Sequence, residues 1–158
     1  MSAELSPDHD LEVLARTVYG EARGEPELGR LAVANVPCNR ATIAARFVEA
    51  HGRRHPLYGD GTVACACTVR WQFSCWNAND PNLPKLLALD LAGEAAAPSF
   101  AAARAALSRS EPDPSGGATH YHTAMSPRDG IDWPPAWAEG QTPTATVGAH
   151  VFYRLEHG

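Results

Sequence analysis

The sequence predicts one α+β domain, mainly helical, with a small β or irregular lobe against the helices. Three observations carry that prediction. The chain has 158 residues, enough for one sizeable core and short for two domains. Several runs place apolar residues at helical spacing and begin or end on helix signals. The stretches between them are rich in turn formers and hold only short strand candidates.

The first helix is expected over residues 10–20, "DLEVLARTVYG", where Leu11, Leu14, Ala15 and Val18 share a face and Asp10 serves as N-cap. Gly24 and Pro26 interrupt it, which puts Glu21 at or near the helix end and Glu25 in a turn. A second helix starts at Glu27, and Pro37 within it is expected to kink or end it. Residues 50–82 read as irregular, with a β-like piece at "TVACACTV". "LPKLLALDLAG" and "PSFAAARAALSR" read as two further helices, each with proline near its start. The remainder is turn-rich, with strand candidates at 118–122 and 149–154.

Composition narrows the function. The net charge is −5, and "GRRH" at 52–55 is the one small basic cluster, so nothing favours a nucleic acid or an anionic membrane as partner. No stretch approaches the roughly 20 apolar residues of a membrane span. The first residues, "MSAELSPDHDLEVLAR", lack the basic and apolar regions of a signal peptide, so synthesis in the cytoplasm and release by some other agent are expected. Cys38, Cys65, Cys67 and Cys75 do not form the paired spacings of a zinc site, and they read as free thiols packed as small hydrophobes.

Three segments can carry chemistry. In "VYGEARGE", Glu21 sits beside Val18 and Tyr19 with glycine on both sides. It reads either as a solvated helix-end carboxylate or as an acid in a partly apolar cleft, where burial and the helix C-terminus both favour the protonated form. Glu25 is a second carboxylate, an orienter of Glu21, a turn cap, or a partner of Arg23 or Arg30. In "WQFSCWNANDPN", residues 71–82, aromatic rings alternate with amides and hydroxyls, as in sites that stack and hydrogen-bond sugars. The other reading makes Trp71, Phe73 and Trp76 core and the polar residues turn formers. In "GGATHYHTA", His120 and His122 share a strand face, and with His150 and a glutamate they form a conceivable zinc site.

These segments together resemble the SleB/CwlJ type of cell wall hydrolase, known from spore-cortex-lytic enzymes and phage lysins. The resemblance rests on "LARTVYGEARGEPELGRLAVANVPCNR", "WQFSCWNANDPN", "DPSGGATHYH" and "PPAWAEGQTPTATVGAHVFY", in that order, from about residue 11 to 154. It implies a lysozyme-like catalytic domain over 11–158 behind an extension of residues 1–10. It implies action on peptidoglycan glycan strands as a monomer, with no cofactor or metal. Glu21 would be the catalytic acid of a lytic transglycosylase. Gln72, Ser74, Trp76, Thr119, His120 and Tyr121 would contact substrate, with Tyr121 steadying Glu21 or the positive centre. Pro37 and Cys38 depart from the family pattern, which has aliphatic residues there, and "GTVACACTVRW" is richer in cysteine. The form of "QFSCWN" leans towards the phage-like branch, with holin-like release or delivery in a phage-like particle. Three alternatives remain open. One is a water-using muramidase with Glu25, Asp80 or Asp113 as second carboxylate. The others are a zinc amidase on His120, His122 and His150, and a peptidoglycan-binding module without catalysis.

Overall fold

The structure, a computed structural model, describes residues 7–69, 72–124 and 133–155. Among the described residues, five α-helices and three strands follow in chain order: α1 Pro7–Ala22, α2 Glu27–His51, α3 Val63–Thr68, α4 Leu83–Ala88, α5 Ala97–Ser108, β1 His120–Thr123, β2 Ala145–Val147 and β3 His150–Tyr153. The helices pack around α1, which touches α2, α3, α4 and α5, while the strands form an antiparallel sheet in the order β1-β3-β2. The expected mainly helical α+β architecture is what forms.

The core follows from the helical spacing. Leu14, Ala15 and Val18 of α1 are buried against Leu31, Val33 and Val36 of α2, Ala103 and Ala106 of α5 and Phe152 of β3. Burying each of the larger side chains contributes about 1.5–3 kcal/mol. Arg16 extends from α1 to the carbonyls of Leu86 and Leu89, which satisfies the C-terminal end of α4. At the end of α5, Arg109 adopts a left-handed conformation (φ 53°) and reaches Asn35 and Asn39 of α2 at 2.6 and 3.2 Å.

The structure corrects the sequence at several points. Asp10 does not cap α1, which begins at Pro7; its carboxylate accepts the Ala64 N–H at 2.9 Å and so caps α3 instead. "TVACACTV" is helical, not β-like: the Thr62 hydroxyl accepts the Cys65 N–H at 3.1 Å, and Ala64, Ala66 and Cys67 are buried. Pro37 does not end α2, which continues through it to His51 with Pro37 itself buried. The helix in "LPKLLALDLAG" stops at Ala88. Strand candidates 118–122 and 149–154 became β1 and β3, and β2 has no counterpart in the sequence reading.

The sheet has two different faces. Tyr121 pairs with Phe152 and Thr123 with His150, so Tyr121, His150 and Phe152 look one way, towards the helices. His120, His122 and Tyr153 look the other way, where Trp137 packs on all three rings. That alternation decides which residues reach α1.

Candidate active site

Glu21 stands in the last turn of α1, beside the 3-10 turn Ser74–Trp76. It opens onto a cleft of about 220 Å³ lined by Glu21, Arg40, Gln72, Phe73, Ser74 and Tyr121. The two meet closely because residue 20 is glycine: a Cβ there would lie 2.8 Å from Cys75 Cβ and 2.9 Å from Leu86 Cδ1. Gly20 therefore serves chain packing, not ligand approach, while Gly24 faces open space.

Three donors surround the Glu21 carboxyl. The Cys75 N–H reaches Oε1 at 3.4 Å, and the Cys75 thiol and the Tyr121 hydroxyl face the same carboxyl. Burial pushes the Tyr121 hydroxyl well above the usual tyrosine range, and the Glu21 charge adds to the shift. The Cys75 thiol is pushed up for the same two reasons, in the same order. Both groups therefore stay protonated donors at neutral pH.

Arg40 builds the opposite wall. Its Nε donates to the Thr119 carbonyl at 2.6 Å and its Nη1 to Gln72 Oε1 at 3.0 Å. Its guanidinium also lies about 5 Å over the Tyr58 and Phe73 rings, at 5.1 and 5.0 Å. Burial lowers its pKa, opposed by Tyr58, Tyr121, Cys67 and Glu21. A buried guanidinium placed this way fixes the Gln72 side chain at the cleft and supplies a positive charge facing it.

Among the sequence candidates, Glu21, Gln72, Ser74 and Tyr121 meet in this cleft. The others do not. The indole N–H of Trp76 donates to Thr17 on α1 at 2.8 Å, so its ring is turned to the helices. The Thr119 side chain is buried and accepts the Leu155 N–H at 2.9 Å; its carbonyl, not its hydroxyl, serves the site through Arg40. His120 lies on the other sheet face, with Nδ1 2.9 Å from Thr119 Oγ1 and its ring against Trp137. Trp71 lies outside the described residues.

Glu25 and the histidines have other partners. The Glu25 carboxylate lies 2.7 Å from His150 Nδ1 and accepts the Ala149 N–H at 3.1 Å. His122 bonds Tyr153 Oη at 2.9 Å and the Thr123 carbonyl at 2.7 Å. His120 and His122 thus share one sheet face while His150 occupies the opposite one. Among the described residues, no group of three His, Cys, Asp or Glu side chains converges as a metal site would. Asp80 and Asp113 each accept backbone N–H groups of nearby turns, at Asn82 for the first and at Ser115 and Gly117 for the second. A larger cavity of about 370 Å³ lies between α2, α3 and α5 and holds none of the candidate site residues.

Sequence reasoning missed Arg40, and Cys75 as a donor to Glu21. Arg40 had a signal: a lone cation closing the apolar run "LAVANVPCN". Cys75 had none, since its role depends on a contact 54 residues away in the chain.

The comparisons with known proteins agree with this architecture. The family model described as Cell Wall Hydrolase matches residues 24–153, and the chain belongs to that family. Glu21 lies just ahead of the matched span. The chain is similar to a spore cortex-lytic enzyme of Bacillus cereus, 54% identical over 37 residues, which make up 23% of this chain and 14% of that protein. It is also similar to one from Halalkalibacterium halodurans, 58% identical over 33 residues, or 21% of this chain and 10% of that protein. The aligned stretches thus span a small part of the curated relatives. Among solved structures, the catalytic domain of the Bacillus cereus SleB protein superposes with a TM-score of 0.63 at 26% identity, covering 92% of this chain and 89% of that one. The catalytic domain of the germination-specific lytic transglycosylase SleB from Bacillus anthracis gives 0.63 at 25% identity, covering 98% and 100%. The resemblance read from the sequence holds, and so does the lysozyme-like fold it implied.

Proposed function

We propose that the chain cleaves the glycosidic bond between N-acetylmuramic acid and N-acetylglucosamine in peptidoglycan, as a lytic transglycosylase with Glu21 as its acid and base. The observation that carries this reading is that Glu21 is the one carboxylate among the described residues lining the cleft. A hydrolase using water would place a second carboxylate about 5 Å from the first for retention, or about 6.5–9.5 Å for inversion. Glu25, Asp80 and Asp113 are each engaged by backbone donors outside the cleft lining.

The chemistry needs only one carboxyl group. Protonated Glu21 gives its proton to the glycosidic oxygen, and the bond from that oxygen to the muramyl C1 breaks. The ring carries the positive charge that remains. The Glu21 carboxylate then takes the proton of the muramyl C6 hydroxyl, whose oxygen bonds to C1. The product is a 1,6-anhydromuramyl end; water is not consumed and Glu21 is again protonated. The Tyr121 hydroxyl and the Cys75 N–H hold the carboxyl in place through both transfers. Gln72 and Ser74 supply hydrogen bonds for sugar hydroxyl and acetamido groups, and Phe73 supplies an apolar wall.

Action as a monomer belongs to the same reading. No described helix is long and apolar enough to cross a membrane. Delivery to the wall by holin-like release or in a phage-like particle belongs to the same reading, on the strength of the resemblance to phage lysins.

The test compares clearing of purified sacculi by wild type, by Glu21→Gln and by wild type treated with EDTA. General acid–base catalysis contributes about 10²–10⁴-fold, so Glu21→Gln should lose at least the lower figure. EDTA should change nothing. Full activity in Glu21→Gln with loss in EDTA would move the site to the histidines and make the enzyme an amidase.

A further inference from the structure

Glu25 is tied down more completely than a turn residue requires. It is held by His150 Nδ1 at 2.7 Å and by the Ala149 N–H at 3.1 and 3.4 Å to its two oxygens. The side chains of His150 and Glu25 are only 7% and 12% exposed. The backbone closes on the carboxyl at Gly148, where φ is +56° and an added Cβ would lie 2.7 Å from Glu25 Oε2. Burial favours the neutral imidazole, so the contact brings no full charge pair to stabilise the fold. Its role is therefore to be sought in what it orients.

The His150 ring meets the Tyr121 ring at 83°, with centroids 4.9 Å apart. The Tyr121 hydroxyl faces the Glu21 carboxyl. The two glutamates of "YGEARGE" are thus joined through two rings, in the order Glu25, His150, Tyr121, Glu21. Among the described residues, the other aromatic neighbours of Tyr121, Phe73 and Phe152, are apolar and lie farther off, at 6.5 and 5.6 Å. They fill space but are not themselves oriented by a hydrogen bond. His150 has a polar neighbour instead, the Glu25 carboxylate 2.7 Å from its Nδ1.

We propose that His150, oriented by Glu25, is a positioning residue for glycan cleavage: it sets the Tyr121 ring and, through its hydroxyl, the Glu21 carboxyl. The proposal rests on the reading of Glu21 as the acid. His150 does not itself line the cleft and transfers no proton. The charged or titratable groups around it are Glu21 at the end of α1, Glu25 in the turn after it, Tyr121 on the same sheet face and His122 on the opposite face of β1. Burial keeps the imidazole neutral, and its Nδ1 stands 2.7 Å from Glu25 Oε1.

A double-mutant cycle on soluble, uncross-linked glycan strands tests it, with wild type, His150→Phe, Tyr121→Phe and the double variant. His150→Phe should lower kcat by about tenfold to a hundredfold with KM little changed, the scale of a misplaced catalytic group. In the Tyr121→Phe background the same substitution should lower kcat no further. Equal losses in both backgrounds, or an unchanged kcat with only a lower Tm, would overturn the proposal. Should His150→Phe fail to fold, Glu25→Gln takes its place in the same cycle with the same two outcomes. A wild type that releases no glycan fragments would instead sink the reading of Glu21, and this proposal with it.

Discussion

Residue by residue, the site depends on contacts that join distant parts of the chain. Arg40 and Thr119 are 79 positions apart, and Arg40 and Gln72 are 32 apart. Replacing Arg40 with methionine leaves the Thr119 carbonyl and the Gln72 amide without their donor. The expected cost is about 1–3 kcal/mol per buried group left unsatisfied. Urea denaturation would measure it, and glycan cleavage should fall with it as Gln72 loses its anchor. His150 makes stability depend on pH. Burial holds its pKa below the unfolded value of 6.5, against the pull of Glu25 and Glu21. Below 6.5 the unfolded chain therefore binds more protons at this position than the native one, and stability is lost as pH falls through that window. Denaturation at a series of pH values should show this decline, and His150→Phe should flatten it. Glu21 was legible in the sequence because its neighbours form a compact local pattern. Trp76 was misread because an indole that stacks on sugar and one that reaches a buried threonine look identical in sequence; only the fold reveals Thr17.

At the scale of elements, the helices were legible wherever apolar spacing ran for three turns or more, as in α1, α2 and α5. Short pieces were not. In α3, six residues of valine, alanine, cysteine and threonine resemble a strand until the caps are known. Those caps are Thr62 within the segment and Asp10 from the start of α1. Thr62→Ala should therefore destabilise the protein by about 1 kcal/mol, seen as a shift in the denaturation midpoint. Strand β2 has three residues and pairs only through β3, too little for a sequence pattern. Gly20 makes a sharper prediction. Its added Cβ would collide with Cys75 and Leu86, so Gly20→Ala should cost about 1–3 kcal/mol by overpacking. It should also slow cleavage, because the turn at Ser74–Trp76 that bonds Glu21 must move away.

The whole molecule is a helical body that, among its described residues, presents one carboxylate to a cleft bordered by the small sheet, and it superposes on SleB catalytic domains. The overall class was legible from periodicity, but the closing of the sheet over α1 was not, because it follows from side-chain alternation on strands of three or four residues. The four cysteines are free, and burial sets their reactivity: Cys38, pushed up to about 12, Cys67 and Cys75 are buried, while Cys65 is half-exposed. A thiol reagent at neutral pH should label Cys65 first in the native protein and all four after unfolding. The central claim is that a single carboxyl group, Glu21, breaks the glycan strand without water. The most direct measurement is mass spectrometry of the muropeptides released from purified sacculi by wild type and Glu21→Gln. The account predicts anhydromuramyl ends, each lighter by one water than a reducing end, and their loss in the variant. Reducing muramic acid ends from the wild type would contradict it, since they require water as nucleophile and a second carboxylate to activate it.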